Sequence, residues 1–132
     1  MIGRSVLGVG NDLRHQLGII GEQLAAEHLQ RLGYRILERN YRTRWGELDI
    51  VAFDGRTLAF CEVKTRRVGG RAGSPLEAVS PTKQAQVRKI AGRWLVERRE
   101  RPYAEVLRFD AIGVGFDASE RLVSLEHVEG AF

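Results

Sequence analysis

The stretch that decides the fold runs from Glu47 to Lys64 and reads ELDIVAFDGRTLAFCEVK. It contains two apolar segments, at 47–53 and 57–64, separated by a short turn sequence with a central glycine at 54–56. Because glycine supplies the positive φ that tight turns need, this spacing predicts a β-hairpin. Both segments are almost continuously hydrophobic, which is typical of strands covered on both faces.

Sequence patterns on either side of the hairpin predict two helices and three further strands. Apolar residues recur at helical spacing from Leu17 to Leu32, whereas the next segment alternates apolar and polar residues as a half-exposed strand does. Ser80 and Pro81 supply the N-cap and the first position of a second helix, whose core stripe includes Trp94. The predicted elements are a helix at 17–32, strands at 34–43, 47–53 and 57–64, a helix at 81–101, and strands at 105–116 and 121–128.

The predicted order α-β-β-β-α-β-β indicates an α/β protein built around a mixed sheet. A helix between the third and fourth strands permits a parallel crossover pair, while the hairpin is antiparallel. The chain has 132 residues, 43% of them hydrophobic, which is enough for one sizeable core and leaves little for a second. We therefore expect a single domain at residues 15–132, preceded by a glycine-rich flexible arm at 1–14.

Cysteine content and charge narrow the classes of function. Cys61 is the only cysteine, which excludes an intramolecular disulfide and a cysteine-based zinc site and favours a reducing compartment. No segment resembles a signal sequence or a membrane span, so we expect a soluble cytoplasmic protein without a membrane partner. The net charge is +4, but residues 64–101 hold eleven basic and three acidic residues. This local excess suits a polyanionic partner.

Acidic residues inside the apolar hairpin strands are the strongest functional signal. Burying a carboxylate costs several kcal/mol unless a cation or hydrogen bonds compensate it. By strand periodicity Glu47 and Asp49 share one face of their strand, and Glu62 and Lys64 share one face of the next. If the turn begins at Gly55, Asp49 lies opposite Glu62; if it begins one residue earlier, Glu47 does and Asp49 is diagonal.

Either register places two carboxylates on one face, where their repulsion favours binding of a divalent cation. Hard oxygen ligands prefer Mg²⁺ or Mn²⁺. Lys64 projects to the same side, where it can orient a water molecule or neutralise charge on a phosphate. Glu22 borders the apolar stripe of the first helix, so it either reaches this group or remains an exposed first-turn acid. A structural network, with Lys64 paired to an acid, is the alternative to a metal site.

Motifs on the first helix and on both hairpin strands resemble the YraN-like family of uncharacterised bacterial proteins. These motifs are Gly21-Glu22, Gly46-Glu47-Leu48-Asp49 and the FCEVKTR segment at 60–66. That family is similar to the archaeal Holliday-junction resolvases of the restriction-endonuclease-like superfamily, which implies an αβββαβ core. The resemblance further implies that Asp49, Glu62 and the Val63 carbonyl are metal ligands, that Lys64 is the catalytic lysine, that Glu22 is an accessory acid, and that Glu47 supports the ligands.

The resemblance and the charge distribution together favour a Mg²⁺-dependent or Mn²⁺-dependent endonuclease that hydrolyses DNA, including branched or otherwise structured DNA. A non-catalytic DNA-binding module that keeps the nuclease fold is the alternative. Symmetric cleavage of a junction would require a homodimer, although the sequence marks no dimer interface. No nucleotide-binding motif or other small-molecule cofactor site is indicated. The residues expected to contact DNA are Arg66, Arg67, Arg71, Lys83 and Lys89.

The remaining aromatic and polar residues are given structural roles. Trp45 is expected to pack at the core or the turn in preference to stacking on a base. Asp110, in the segment Arg108-Phe109-Asp110, is expected to form a simple salt bridge in preference to being a further superfamily-like strand acid. The histidines have no metal-ligand spacing and are assigned no chemistry; they are His15, His28 and His127.

Overall fold

The computed structural model describes residues 2–68 and 79–132, with side chains described from residue 13 onward. The described elements are α1 (Ile2–Arg31), β1 (Arg35–Thr43), β2 (Gly46–Phe53), β3 (Thr57–Arg67), α2 (Pro81–Glu97), β4 (Val106–Phe116) and β5 (Leu122–Val128). Their order is the one predicted from the sequence. Within these residues, neither helix combines the length and apolarity needed to cross a lipid bilayer.

The strands of the described chain form one mixed sheet in the order β1-β2-β3-β4-β5. β1 with β2, β2 with β3, and β4 with β5 are antiparallel, whereas β3 and β4 run parallel along their whole length. The parallel pair forms because the segment that contains α2 returns the chain across one face of the sheet. The predicted α/β class with a mixed sheet, consistent with a restriction-endonuclease-like core, is confirmed.

The two helices cover opposite faces of the sheet, which explains why β2 and β3 are apolar throughout. Alternate residues of these strands belong to two separate core clusters, one against α1 and one against α2. Trp94 of α2 is 2% exposed and meets Phe60 of β3 edge to face, as its helical periodicity predicted. Cys61 is buried in the α1 cluster, where the thiol packs as an apolar group.

The ends of both helices differ from the predicted bounds. α1 begins at Ile2 and not near Leu17, so its backbone extends through the glycine-rich start that was expected to form an arm. Glycine lowers helix propensity without forbidding the helix, and the apolar residues of this start keep the helical spacing that continues to Leu17. α2 ends at Glu97, before the predicted Arg101, because Arg98 has φ −97° and ψ 75° and leaves the helical conformation. The mobility of residues 1–14 stays a prediction.

Candidate metal centre

The register of the β2–β3 hairpin decides which acids face one another. Its pairing begins after Gly55, whose φ of 104° lies in the region that glycine favours, and ends at Ile50 opposite Cys61. Of the two registers that the sequence left open, this is the one with the turn starting at Gly55. One step beyond the last pair it brings Asp49 level with Glu62.

Asp49 lies one residue beyond the last β2–β3 backbone pair, and there its side chain replaces the backbone as hydrogen-bond acceptor. Its Oδ2 accepts a hydrogen bond of 2.7 Å from the backbone N–H of Val63. Asp49 is 9% exposed, so this bond fixes a nearly buried carboxylate to the neighbouring strand. The part played by the Val63 carbonyl as a metal ligand stays a prediction.

Three carboxylates converge at this point, one from α1 and two from β2. Oxygen atoms of Glu22, Glu47 and Asp49 all lie within 4.8 Å of one another, and we call these residues the three-acid group. The structure thus brings Glu22 to the site, the first of the two alternatives for this residue. It also places Glu47 among the converging oxygens, where the family resemblance implied only a supporting role, while Glu62 is not a member of the group.

A glycine and an asparagine hold the three-acid group together. A Cβ atom at Gly21 would lie 2.1 Å from the hydroxyl oxygen of Thr65, so only glycine allows α1 to approach β3 this closely. With its amide nitrogen turned towards the acids, Asn40 of β1 donates hydrogen bonds of 2.8 Å to Glu22 and to Glu47. Asn40 has φ 53°, a left-handed conformation that asparagine tolerates better than most residues.

Glu62 lies beside the three-acid group and is flanked by two lysines. The residue is 6% exposed, and its Oε1 is 3.6 Å from Nζ of Lys83 in α2, whereas its Oε2 has no hydrogen-bond partner within the described residues. Burial raises the pKa of Glu62, and the charges of Lys83 and Lys64 oppose this rise. Lys83 reaches Glu62 because it lies in the first turn of α2, where its backbone N–H bonds the N-cap Ser80.

The electrostatics of the three-acid group favour a bound cation. Burial raises the pKa of Asp49 above its ordinary value, the charge of Glu62 adds to this, and the Val63 hydrogen bond opposes it. Burial and then the charge of Glu47 raise the pKa of Glu22. A divalent cation would stabilise the ionised forms that burial disfavours. Carboxylate oxygens, with Oε2 of Glu62 nearby and without a partner among the described residues, fit a hard ion such as Mg²⁺ or Mn²⁺.

The arginines predicted to contact DNA lie beyond the acids, at the end of β3. Arg66 lines a groove of about 580 Å³ between α1 and β3, together with Arg14 and Arg67. Arg67 also forms an ion pair of 3.3 Å with Glu120, in which both side chains are partly exposed. Arg71 lies outside the described residues. The described part of this surface therefore carries positive charge next to the acidic site.

The two lysines predicted to contact DNA are in different environments on α2. Lys83 is directed at Glu62, which makes it part of the acidic site. Lys89 is exposed, and its Nζ lies 5.3 Å from the centroid of the Trp45 ring. Trp45 is partly buried against the α2 core cluster, which agrees with the predicted turn or core packing, and the remainder of the residue is accessible to solvent.

A second polar cluster forms between β4, β5 and α1, and sequence reasoning found only part of it. The predicted salt bridge is confirmed: Arg108 holds Asp110, which is fully buried, at 2.7 Å. The other carboxylate oxygen of Asp110 contacts Nε2 of His127 at 2.8 Å, and Nδ1 of His127 lies 3.1 Å from Nε2 of His28. The two histidines are far apart in the sequence, so no spacing rule could have paired them.

Asn40, beside the three-acid group, is the other residue that sequence reasoning missed. Its presence in a predicted strand was a weak signal of a functional role, because asparagine is depleted in strands.

A mixed sheet between two helices, with carboxylates converging where its central hairpin separates, defines an α/β protein with a restriction-endonuclease-like core. The sequence profile of the uncharacterised protein family UPF0102 matches residues 21–114, from the glycine before Glu22 into β4. The chain belongs to this family, and the predicted YraN-like membership is confirmed.

Several members of the family are similar to this chain over almost their full length. A UPF0102 protein of Acidothermus cellulolyticus is 48% identical, with 90% of this chain and 95% of the relative covered. UPF0102 proteins of Frankia casuarinae and Geobacter sulfurreducens are 50% and 47% identical, covering 88% and 96% of this chain and 95% of each relative. The four acids described above lie within residues 21–114, the part of the chain that the family profile matches.

Proposed function

We propose that this protein is a metal-dependent endonuclease that hydrolyses phosphodiester bonds of DNA, with the three-acid group as its metal centre. The observation that carries the proposal is the convergence of Glu22, Glu47 and Asp49 within 4.8 Å, next to a buried glutamate flanked by lysines. Partly buried acids repel one another at this distance, and a divalent cation would relieve the repulsion. Mg²⁺ and Mn²⁺ are the ions that suit this all-oxygen set.

The residues of the site have two proposed roles: some bind the metal ion, and others supply positive charge. Glu22, Glu47 and Asp49 would hold the ion, with Glu62 adding its Oε2. A bound Mg²⁺ or Mn²⁺ supplies a nucleophilic water and neutralises charge on a phosphate. Lys64, whose charge opposes the rise in the pKa of Glu62, would stabilise the charge that develops on the phosphate during attack.

DNA is the proposed substrate because of the charge that surrounds the acids. The groove beside the end of β3 is lined by arginines, and the segment 64–101 carries a strong basic excess. Phosphate contacts from such residues release counterions and dominate the affinity for nucleic acids. Acids amid this positive surface would repel phosphates unless a cation neutralised them, which supports catalysis over simple binding.

A non-catalytic DNA-binding module is the second candidate. It is favoured by two contacts that stabilise the acids without a metal: Lys83 pairs with Glu62, and Asn40 donates hydrogen bonds to Glu22 and Glu47. In this alternative the acids form a structural network that orders the hairpin, and only the basic surface binds DNA.

A metal titration separates the two candidates. Parent protein and Asp49→Asn are incubated with duplex, single-stranded and four-way-junction DNA, with increasing Mg²⁺ or Mn²⁺. The asparagine keeps an oxygen that can accept the Val63 hydrogen bond, so it serves as a matched variant with the same shape. We expect metal-dependent cleavage by the parent and none by Asp49→Asn, with DNA binding retained. A parent that binds DNA but cleaves none of these substrates would make the binding module the better account.

A further inference from the structure

An aromatic ring between two cations lies at the β1–β2 turn. The guanidinium carbon of Arg44 is 5.0 Å from the centroid of the Trp45 ring, and Nζ of Lys89 is 5.3 Å from it. Both cationic residues are exposed, and Trp45 itself is only partly buried. Cation–π contacts at exposed sites are weak, so the long side chains can leave the ring at little cost.

The backbone that carries Trp45 is held far more firmly than these cations. The hydroxyl of Thr43 accepts a hydrogen bond from the Trp45 N–H and donates one to the Gly46 carbonyl, each of 3.1 Å. The side-chain amide of Gln86 in α2 donates to the carbonyl of Trp45. Gly46 completes the turn with φ 132°, which a residue with a side chain rarely adopts. The ring is thus presented from a fixed turn, while its two cations are held to it by weak contacts alone.

Trp45 also joins two shallow grooves on the surface next to the acids. One groove, of about 460 Å³, follows the turn and includes Arg42 and Arg93, and the other, of about 420 Å³, follows α2 and includes Lys89. These two arginines share the first groove with Trp45, and each is paired with a glutamate: Arg42 with Glu47 at 3.2 Å and Arg93 with Glu97 at 2.9 Å. Glu47 of the three-acid group is two residues farther along β2, roughly 7 Å of strand.

We propose that Trp45 is a stacking platform for an unpaired nucleobase, with Arg44 and Lys89 moving from the ring to the phosphates on either side of that base. Every base has a π face, and an aromatic ring in a basic groove is the usual means of binding single-stranded nucleic acid. Bases inside a continuous duplex are stacked on their neighbours and cannot use the ring. The inference rests on the proposed function and names its substrate class: DNA with an unpaired base next to the bond that is cut.

Binding measured without metal tests this platform separately from catalysis. In EDTA, we would titrate a labelled oligothymidylate and a fully paired blunt duplex of the same length with parent, Trp45→Leu and Trp45→Phe proteins. Trp45→Leu should weaken oligothymidylate binding about tenfold or more and change duplex binding less than about twofold, because only the unpaired base loses its stacking partner. Trp45→Phe keeps a π face and should retain most of the affinity.

An exposed aromatic residue elsewhere supplies the matched control. Tyr103 is 84% exposed and lines a groove with Leu58 near the start of β3, away from the acids. Tyr103→Leu should leave both affinities unchanged. Tryptophan fluorescence gives a second readout, because Trp94 is buried and quenching by oligothymidylate should therefore be absent from Trp45→Phe.

The outcomes distinguish this inference from the proposed function. Equal affinities of parent and Trp45→Leu for oligothymidylate, or an equal loss for both DNA forms, would overturn the platform even if metal-dependent cleavage is found. A selective loss in Trp45→Leu, combined with a parent that never cleaves DNA, would leave the platform in place on a binding module and reject the nuclease.

Discussion

Asp49 is joined to Val63 by a hydrogen bond of 2.7 Å from the backbone N–H to Oδ2. Continuing the β2–β3 register would place this N–H opposite the carbonyl of Leu48, so a side chain replaces the backbone acceptor where the strands separate. The replacement satisfies a carboxylate that is otherwise buried in an apolar sheet. It also links the three-acid group to the strand that carries Glu62 and Lys64.

Comparing Asp49→Asn with Asp49→Ala should separate the two roles of this side chain. Both variants should lose metal-dependent cleavage by about 100-fold or more, because each removes a charged oxygen ligand. Only Asp49→Ala leaves the Val63 N–H without an acceptor. Its free energy of unfolding should therefore be about 1–3 kcal/mol lower than that of Asp49→Asn. Single-turnover cleavage and urea unfolding measure the two effects. Equal stabilities of the two variants would show that the hydrogen bond contributes nothing.

The acids predict an unusual dependence of stability on pH in metal-free protein. Folding raises the pKa of Asp49, Glu62 and Glu22, so the folded state binds more protons than the unfolded state above the ordinary carboxyl pKa of about 4. In EDTA, the contribution of these groups to stability should therefore fall as pH rises from about 4 towards neutrality. Mg²⁺ or Mn²⁺ should restore it at neutral pH, and Asp49→Asn should reduce both effects. Thermal midpoints across this pH range, with and without metal, provide the measurement.

Lys83 is expected to influence catalysis through Glu62. Replacing it with glutamine removes the nearby positive charge, so the pKa of Glu62 should rise further and the acidic limb of the pH–rate profile should move to higher pH. Lys83→Arg keeps the charge and should keep the limb close to its position in the parent. A lysine that served only to contact DNA would change the affinity and its salt dependence in Lys83→Gln, with no movement of the limb.

The second polar cluster, which contains Asp110, His127 and His28, should make the stability of the fold decrease in mild acid. Burial lowers the pKa of His28, and the charges of His127 and Arg31 lower it further, so the unfolded chain gains this proton first as pH falls. Stability from this group should be complete above about pH 6.5 and decline below it. His28→Gln can still donate to His127 but does not titrate, so its stability should fall less between about pH 7 and 5. Identical declines in parent and variant would exclude His28 as the cause.

Close packing at Gly21 should be essential for the position of Glu22. Gly21→Ala forces a methyl group against the hydroxyl of Thr65 and should destabilise the protein by about 1–3 kcal/mol. Adding Thr65→Ala removes that hydroxyl, whose oxygen is the closest atom, and should recover part of the loss. Chemical unfolding of the two single variants and the double variant gives the coupling energy. Additive effects would contradict the contact.

Much of the fold follows from short-range patterns in the chain. Alternating or continuous apolar runs predict the identity and order of the elements. The glycine of the hairpin turn marks the boundary between β2 and β3, and Ser80 with Pro81 marks the start of α2. These signals act over a few residues, which is why they succeed without knowledge of the tertiary fold. They failed at the start of α1, where the glycine content of the segment outweighed a helical spacing of its apolar residues in the prediction.

The sequence by itself also identified Asp49, Glu62 and Lys64 as charged residues within apolar strands. It was compatible with two registers of the hairpin. Only the tertiary structure selected one register, brought Glu22 and Glu47 to Asp49, and turned Lys83 towards Glu62. It alone paired His28 with His127. The physical reason is that periodicity specifies which face a side chain occupies, whereas its neighbours across elements depend on how closely the helices pack against the sheet.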